Sequence, residues 1–439
     1  MASSLKKTKV KKVYTHAGAL VVSGNSKQLL RRTVMSCLLW EDSFYENGVS
    51  VVTRITDLIP QVSPADVYEI AVGARTKYNL RHVPLLIAKI SAGIDTHKSM
   101  VADLLENIIR RPDELAEFLA LYWAEGRCPI SNQVKKGLAN AFLKFDEYQL
   151  AKYNRDKDIK LKDVMFLVHP KPTNNDQEAL FTRLVNDELK TPDTWEVNLS
   201  VKGADKKEVW TEMLSNNKLG GMALIRNLRN MEEAGVSLSI VKKALVEARS
   251  NKMFPYRFIA AAQEALRYES ELETMMFKNL EDIDKLPGKT VLLVDVSISM
   301  VHATISKRSK MTRQDAACGL AMMVREICED VEIYAFESNV HHIPSRRGFA
   351  LRDKLKSYTG GTYIGKAVEH VKAAESDMNR LIIITDEQTS DNVGNPLKGT
   401  TGYVLNVASY TNGIGYRNGW TTIDGWSEAS LTYIQEIEK

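Results

Sequence analysis

The stretch VLLVDVSISM runs from four apolar residues, Val291 to Val294, into Asp295, and then places hydroxyls at Ser297 and Ser299. A second apolar run, RLIIITD, ends in Asp386, and the loop YTGGTYIG between the two carries Thr362. If both runs are buried strands of one sheet, two carboxylates and three hydroxyls leave that sheet at the same end. All are hard oxygen donors, the set that suits Mg²⁺ or a similar divalent cation, which keeps several waters and leaves a position for a partner's carboxylate. Gly360 and Gly361 would let the middle loop approach closely, because glycine adopts backbone angles that other residues avoid. Two other readings use the same residues. Ser297, Ser299 and Thr362 could each cap a following helix. A phosphotransferase would use the strand-end Asp as nucleophile with a second acid two residues on, but Ser297 holds that place and the general acid is missing.

A different chemistry, contact with a polyanion, is open to several basic stretches. VHPKP sets His169 and Lys171 in a Pro-braced turn, where a ring donor beside an ammonium suits a phosphate or an unstacked base. In ALIRNLRNM, Arg226 and Arg229 are three apart and share a helix face. RRTVMSC offers Arg31 and Arg32, VKKGLANAFLKF offers Lys135, Lys136 and Lys144, and GARTKYNLRH offers Arg75, Lys77 and Arg81 beside Tyr78 and His82. For each of these an ordinary solvated or core-packing role is the competing reading. The segment KKTKVKK near the N-terminus reads as a flexible basic arm.

Which elements position these residues is legible from hydrophobic pattern. Residues 26 to 280 read as helix after helix, with apolar positions three and four apart, prolines between the helices, and Ser63 and Ser131 as N-caps. Stacked helical pairs are the expected architecture. After EDIDKLPGKT the pattern changes to short apolar runs (TVLLVD, VEIYAF, RLIIITD, GYVLNVA) alternating with amphipathic helices, the mark of a parallel sheet covered on both faces. In such sheets ligands sit beyond the carboxyl ends of the strands, where Asp295 and Asp386 lie. The division expected is a basic arm over 1–15, a helical domain over 16–285 and an α/β domain over 286–439.

The chain has 439 residues, 44% hydrophobic and 26% charged, with a net charge of +4 whose excess falls in the helical part. That balance is ordinary for a folded protein, and it places a polyanion partner on the N-terminal portion. No apolar run approaches the roughly 20 residues of a membrane span and no secretory leader is evident, so a cytoplasmic protein without membrane contact is expected. Four scattered cysteines without a CxxC pair disfavour a zinc ribbon or a disulfide framework. No nucleophile stands beside a His and no acid pair is set for hydrolysis, so no enzyme is expected.

The order DVSIS, GGT, TD resembles the metal-ion-dependent adhesion site of a von Willebrand factor A domain, with Ile298 where that motif often has glycine. KTPDTWEVNLS, MALIRNLRNM and MFPYRFIAAAQEA resemble the TROVE module of the Ro autoantigen family, and TTIDGWSEASLTYIQ resembles the end of Ro family A domains. His169-x-Lys171-Pro resembles a stretch of the same family. The resemblance implies a monomeric ring of α-helical HEAT-like repeats, followed by an α/β doubly wound, Rossmann-like A domain that joins the ring's ends. It implies Y-like small non-coding RNA on the outer surface, single-stranded 3′ ends of misfolded RNA in the hole, and a role in RNA quality control or as a ribonucleoprotein scaffold. A bacterial member would bring an exoribonuclease such as polynucleotide phosphorylase to that RNA. The alternative is a protein-interaction module whose A domain grips an acidic partner through Mg²⁺.

Overall fold

The computed structural model describes residues 26–35, 48–200, 203–248, 253, 255–305, 310–408, 414, 419–424, 430–431, 434–435 and 438. The lysine-rich arm and part of TTIDGWSEASLTYIQ lie outside them. The described chain packs as two units, one holding the helices from Ser26–Met35 to Leu238–Glu247 and the other running from Pro255 onward.

In the first unit, helix pairs stack in two rows. Ser26–Met35, Pro64–Thr76, Val101–Ile108 and Asn132–Phe142 follow one another along one row, and His82–Ala92, Asp113–Tyr122 and Leu161–Val168 along the other. Each repeat thus buries its apolar stripe against the next, as a solenoid requires. The local signals act as expected: Ser63 accepts from the Asp66 amide, and Ser131 from the Val134 amide. Where helix Asn132–Phe142 meets Val101–Ile108, a Cβ on Gly137 would stand 2.7 Å from the Ala102 carbonyl oxygen and 2.9 Å from Leu105 Cβ. By contrast a Cβ on Gly73, inside helix Pro64–Thr76, would meet nothing within 4 Å. Opposite outcomes are therefore expected from one substitution type. Gly137→Ala should cost about 1–3 kcal/mol by forcing two backbones apart, whereas Gly73→Ala should add up to about 1 kcal/mol through helix propensity. Thermal unfolding of the two variants checks the pair of signs.

The second unit is built on six strands: β1 (Leu286–Asp295), β2 (Cys328–Phe336), β3 (Val340–Ile343), β4 (Arg380–Thr385), β5 (Thr401–Asn406) and β6 (Trp420–Asp424). Their order is β3-β2-β1-β4-β5-β6, all neighbours parallel except the edge pair β2 and β3. The four apolar runs of the sequence are the four central strands. The edge strands β3 and β6 escaped the pattern, since VHHI and WTTID alternate too briefly and mix polar with apolar residues. Val291 to Val294 and Leu381 to Ile384 are fully buried because helices cover both faces. Helix Ile364–Ala374 packs one face through Ile364, Val368 and Val371. The other receives helix Arg313–Ile327, which is buried along almost its whole length because helix Pro255–Glu264 lies on its far side. There Gly319 meets Tyr256, and Gln263 donates to Asp315 at 3.0 Å. Two helices read as part of the helical series, Pro255–Glu264 and Glu269–Leu280, thus pack with the sheet, while the first strand begins at Leu286. No helix among the described residues is long and apolar enough to cross a membrane. Cys318 and Cys328 are buried and Cys128 is exposed, all as free thiols.

Candidate metal centre and RNA-facing residues

Strands β1 and β4 are parallel neighbours in the register Val294↔Ile384, which sets Thr385 against Asp295 at the strand ends and brings Asp386 in one residue beyond. Both side chains are fully buried. Asp295 Oδ1 accepts from the Ser297 amide at 2.9 Å, and Oδ2 accepts from the Thr385 hydroxyl at 2.6 Å. The Ser297 and Ser299 hydroxyls meet at 3.2 Å. The Ile298 amide donates to Gly360 O at 2.9 Å, and the Ser390 amide to Thr362 O at 3.0 Å, so the three loops are joined by backbone. Gly360 makes a close approach: a Cβ there would displace the Glu337 carboxylate. Ile298 sits at the first position of helix Ile298–His302, is 57% exposed and avoids positive φ, so the branched side chain is accommodated.

The capping alternative does not describe these hydroxyls. Ser297 occupies the N-cap position but makes no side-chain cap bond. The first amides of helix Ile364–Ala374 are served by others: Ile364 N by the Thr389 hydroxyl, and Gly365 N and Lys366 N by the Asp391 carboxylate. Burial first, and then the charge of Asp386, pushes the Asp295 carboxyl up to about 7 against the pull of the hydrogen bonds from Ser297 and Thr385. Two buried carboxylates among hydroxyls are donors that a hard divalent cation accepts, so the residues fit such an ion. One neighbour was not foreseen: Arg313 Nη1 donates to Asp386 Oδ2 at 2.8 Å, with 5% of the Arg313 side chain exposed.

The basic candidates divide. His169 caps helix Leu161–Val168 in the left-handed conformation (φ 49°), its amide donating to Met165 O at 2.9 Å, and the residue is exposed, as is Lys171. Phe166, one helical turn before His169, is 57% exposed. Sequence reading passed over it because KDVMFLV is apolar nearly throughout, and no period in so short a helix marks the outward residue. Lys135 and Lys136 are exposed on helix Asn132–Phe142.

Arg226 and Arg229 do not share one helix. The segment breaks at buried Asn227 into Gly221–Arg226 and Leu228–Glu233, with Asn227 Nδ2 donating to Ala223 O and its Oδ1 accepting from Asn230. The Asn227 amide group substitutes for backbone pairing at the break. Both arginines remain exposed, Arg229 beside Glu233 at 3.5 Å. Arg31 is part-buried, 3.9 Å from Glu69, and the Arg32 side chain lies outside the described residues. Three further basic residues serve the fold. Arg75 donates to Ile108 O and Glu114, Arg81 to Asp113 and Glu117, and Lys144 to the carbonyls of Glu106 and Ile109, where burial holds its pKa below the usual lysine value.

Residues 186–333 match the family model of the TROVE domain. Over 92% of this chain and 98% of the other, the fold superposes on the Deinococcus radiodurans Ro (RSR) protein with a TM-score of 0.66, at 16% sequence identity. The chain thus carries a stretch similar to a TROVE domain and shares the fold of a Ro protein. Its TROVE match holds Arg226, Arg229, Asp295, Ser297, Ser299 and Arg313, whereas His169, Lys171, Thr362 and Asp386 flank it. Among curated proteins, this chain is 36% identical over 135 residues to mouse telomerase protein component 1, and 36% identical over 92 residues to the rat protein of that name. Those alignments cover 29% and 20% of this chain and 4% of either relative, so the chain spans a small part of the relatives' length.

Proposed function

We propose that this chain is an RNA-binding, non-enzymatic subunit of a ribonucleoprotein. The TROVE domain carries the reading. The exposure of Phe166, His169 and Lys171 around the turn that closes helix Leu161–Val168 supports a contact there, with an aromatic ring, a ring donor and an ammonium open to solvent. A base can stack on the ring while the ammonium neutralises a phosphate. The finer reading follows the Ro resemblance: Y-like small RNA on the outer basic surface, single-stranded 3′ ends of misfolded RNA in the hole of a helical ring, and an exoribonuclease recruited to RNA so held. Lys135, Lys136, Arg226, Arg229, Arg31 and Arg32 are the further cations proposed for RNA. In the sheet unit Asp295, Ser297, Ser299, Thr362 and Asp386 are proposed to hold a divalent cation, Mg²⁺ by donor type.

Fluorescence anisotropy of a labelled hairpin, with and without a single-stranded 3′ tail, tests the RNA reading. Tighter, salt-sensitive binding of the tailed RNA is expected, and failure to bind it at moderate salt contradicts the proposal. The buried carboxylate pair favours a second reading, a protein-interaction module that grips an acidic partner through the cation. A complex that resists ribonuclease but dissolves in EDTA would select it.

A further inference from the structure

Asp386 already carries a cation. Arg313 opens helix Arg313–Ile327, and its guanidinium reaches Asp386 at 2.8 Å across a sequence separation of 73 residues. The approach is built from the backbone: the Arg313 amide donates to Ala303 O at 2.8 Å, and Thr304 bridges to Thr312. Thr312 and Asp315 form a capping box, and Asp315 is held in turn by Gln263 at 3.0 Å and Lys356 at 2.8 Å. The helix start is therefore fixed.

We propose that Arg313 is the built-in counter-ion of this site, occupying the place on Asp386 that a divalent cation would take, so that such a cation binds only as the guanidinium leaves. The inference rests on the cation-site reading above and adds to it a determinant of affinity. Charge carries the argument. Ionised Asp295 and Asp386 sum to two negative charges, and Arg313 reduces the total to one. A divalent ion added beside the seated guanidinium leaves a buried net positive charge, whereas the same ion with the guanidinium withdrawn leaves none. Like charges a few ångström apart in a site of low dielectric repel strongly, so the seated guanidinium must weaken divalent binding. Its burial makes that weakening resistant to salt.

The test is Mn²⁺ binding to the full chain, read by the electron paramagnetic resonance signal of free Mn²⁺, for wild type, Arg313→Met and Arg313→Lys. Arg313→Met is expected to bind Mn²⁺ about tenfold more tightly or better, and Arg313→Lys, which keeps the charge, to stay within about threefold of wild type. Equal or weaker binding by Arg313→Met overturns the inference, and if wild type binds Mn²⁺ at that same affinity the cation-site reading stands alone. Absence of Mn²⁺ binding in all three proteins overturns both. Should Arg313→Met fail to fold, wild-type crystals grown with Mn²⁺ decide: an anomalous peak with the guanidinium displaced from Asp386 supports the inference, and a peak beside the intact ion pair overturns it.

Discussion

In metal-free buffer at pH 8, Asp295→Asn is expected to unfold at a higher temperature than wild type, and the gap should close at pH 4. Burial, and then the charge of Asp386, holds the Asp295 carboxyl well above the value of about 3.9 that it has in an unfolded chain. A folded-state pKa raised above the unfolded value means that the folded protein prefers the protonated acid. The stability it contributes is fully present below the unfolded value and is lost as pH rises toward 7 and through it. Over that window the cost of ionising Asp295 is on the order of a few kcal/mol, and an uncharged isostere escapes it. Asparagine can still accept from the Ser297 amide and can donate to the Thr385 hydroxyl, so the loop should persist. Saturating Mg²⁺ is expected to stabilise wild type above pH 7 and to leave Asp295→Asn unchanged, because a ligand that binds only the folded state shifts its stability. Differential scanning fluorimetry over pH 4–9, with EDTA or Mg²⁺, measures both effects. A variant less stable than wild type by the same margin at every pH would show that Asp295 serves the loop's shape alone.

The second large effect is expected at the turn from Phe166 to Lys171. Phe166→Ala removes an exposed ring that packs no core, so folding should be unaffected while RNA affinity falls. Base stacking on an aromatic side chain is worth about 1–3 kcal/mol, a loss of roughly fivefold to more than a hundredfold. The slope of log affinity against log salt should not change, because no phosphate contact is lost. Lys171→Ala should give the complementary result, a smaller loss with the slope reduced by about one. Titrations of tailed RNA at three salt concentrations separate the two patterns. Identical slopes for both variants would remove Lys171 from the phosphate contacts.

Where the sequence determined the structure locally, it could be read. The runs at Val291 and Leu381 are apolar on both faces because helices cover both faces, and their terminal acids mark the carboxyl end of the sheet. Ser63 and Ser131 act within three residues of themselves, which is why the caps were legible. Arg313 was not, since its partner lies in another strand and the loop from Ala303 to Thr312 decides where the guanidinium arrives. Arg75 and Arg81 looked like surface cations for the same reason in reverse: the acids that claim them, Asp113, Glu114 and Glu117, follow more than 30 residues later. The break at Asn227 depends on a side chain replacing a helical hydrogen bond, which the spacing of Leu224, Leu228 and Met231 does not reveal.

The most direct measurement is a photo-crosslink from a hairpin whose single-stranded 3′ tail carries 4-thiouridine, mapped by mass spectrometry at moderate salt in EDTA. Adducts on the peptide spanning Phe166 to Lys171, competed by unlabelled tailed RNA and not by the blunt hairpin, are the predicted result. Absence of adducts, or adducts confined to residues 286–439, would contradict RNA binding by the helical part of this protein.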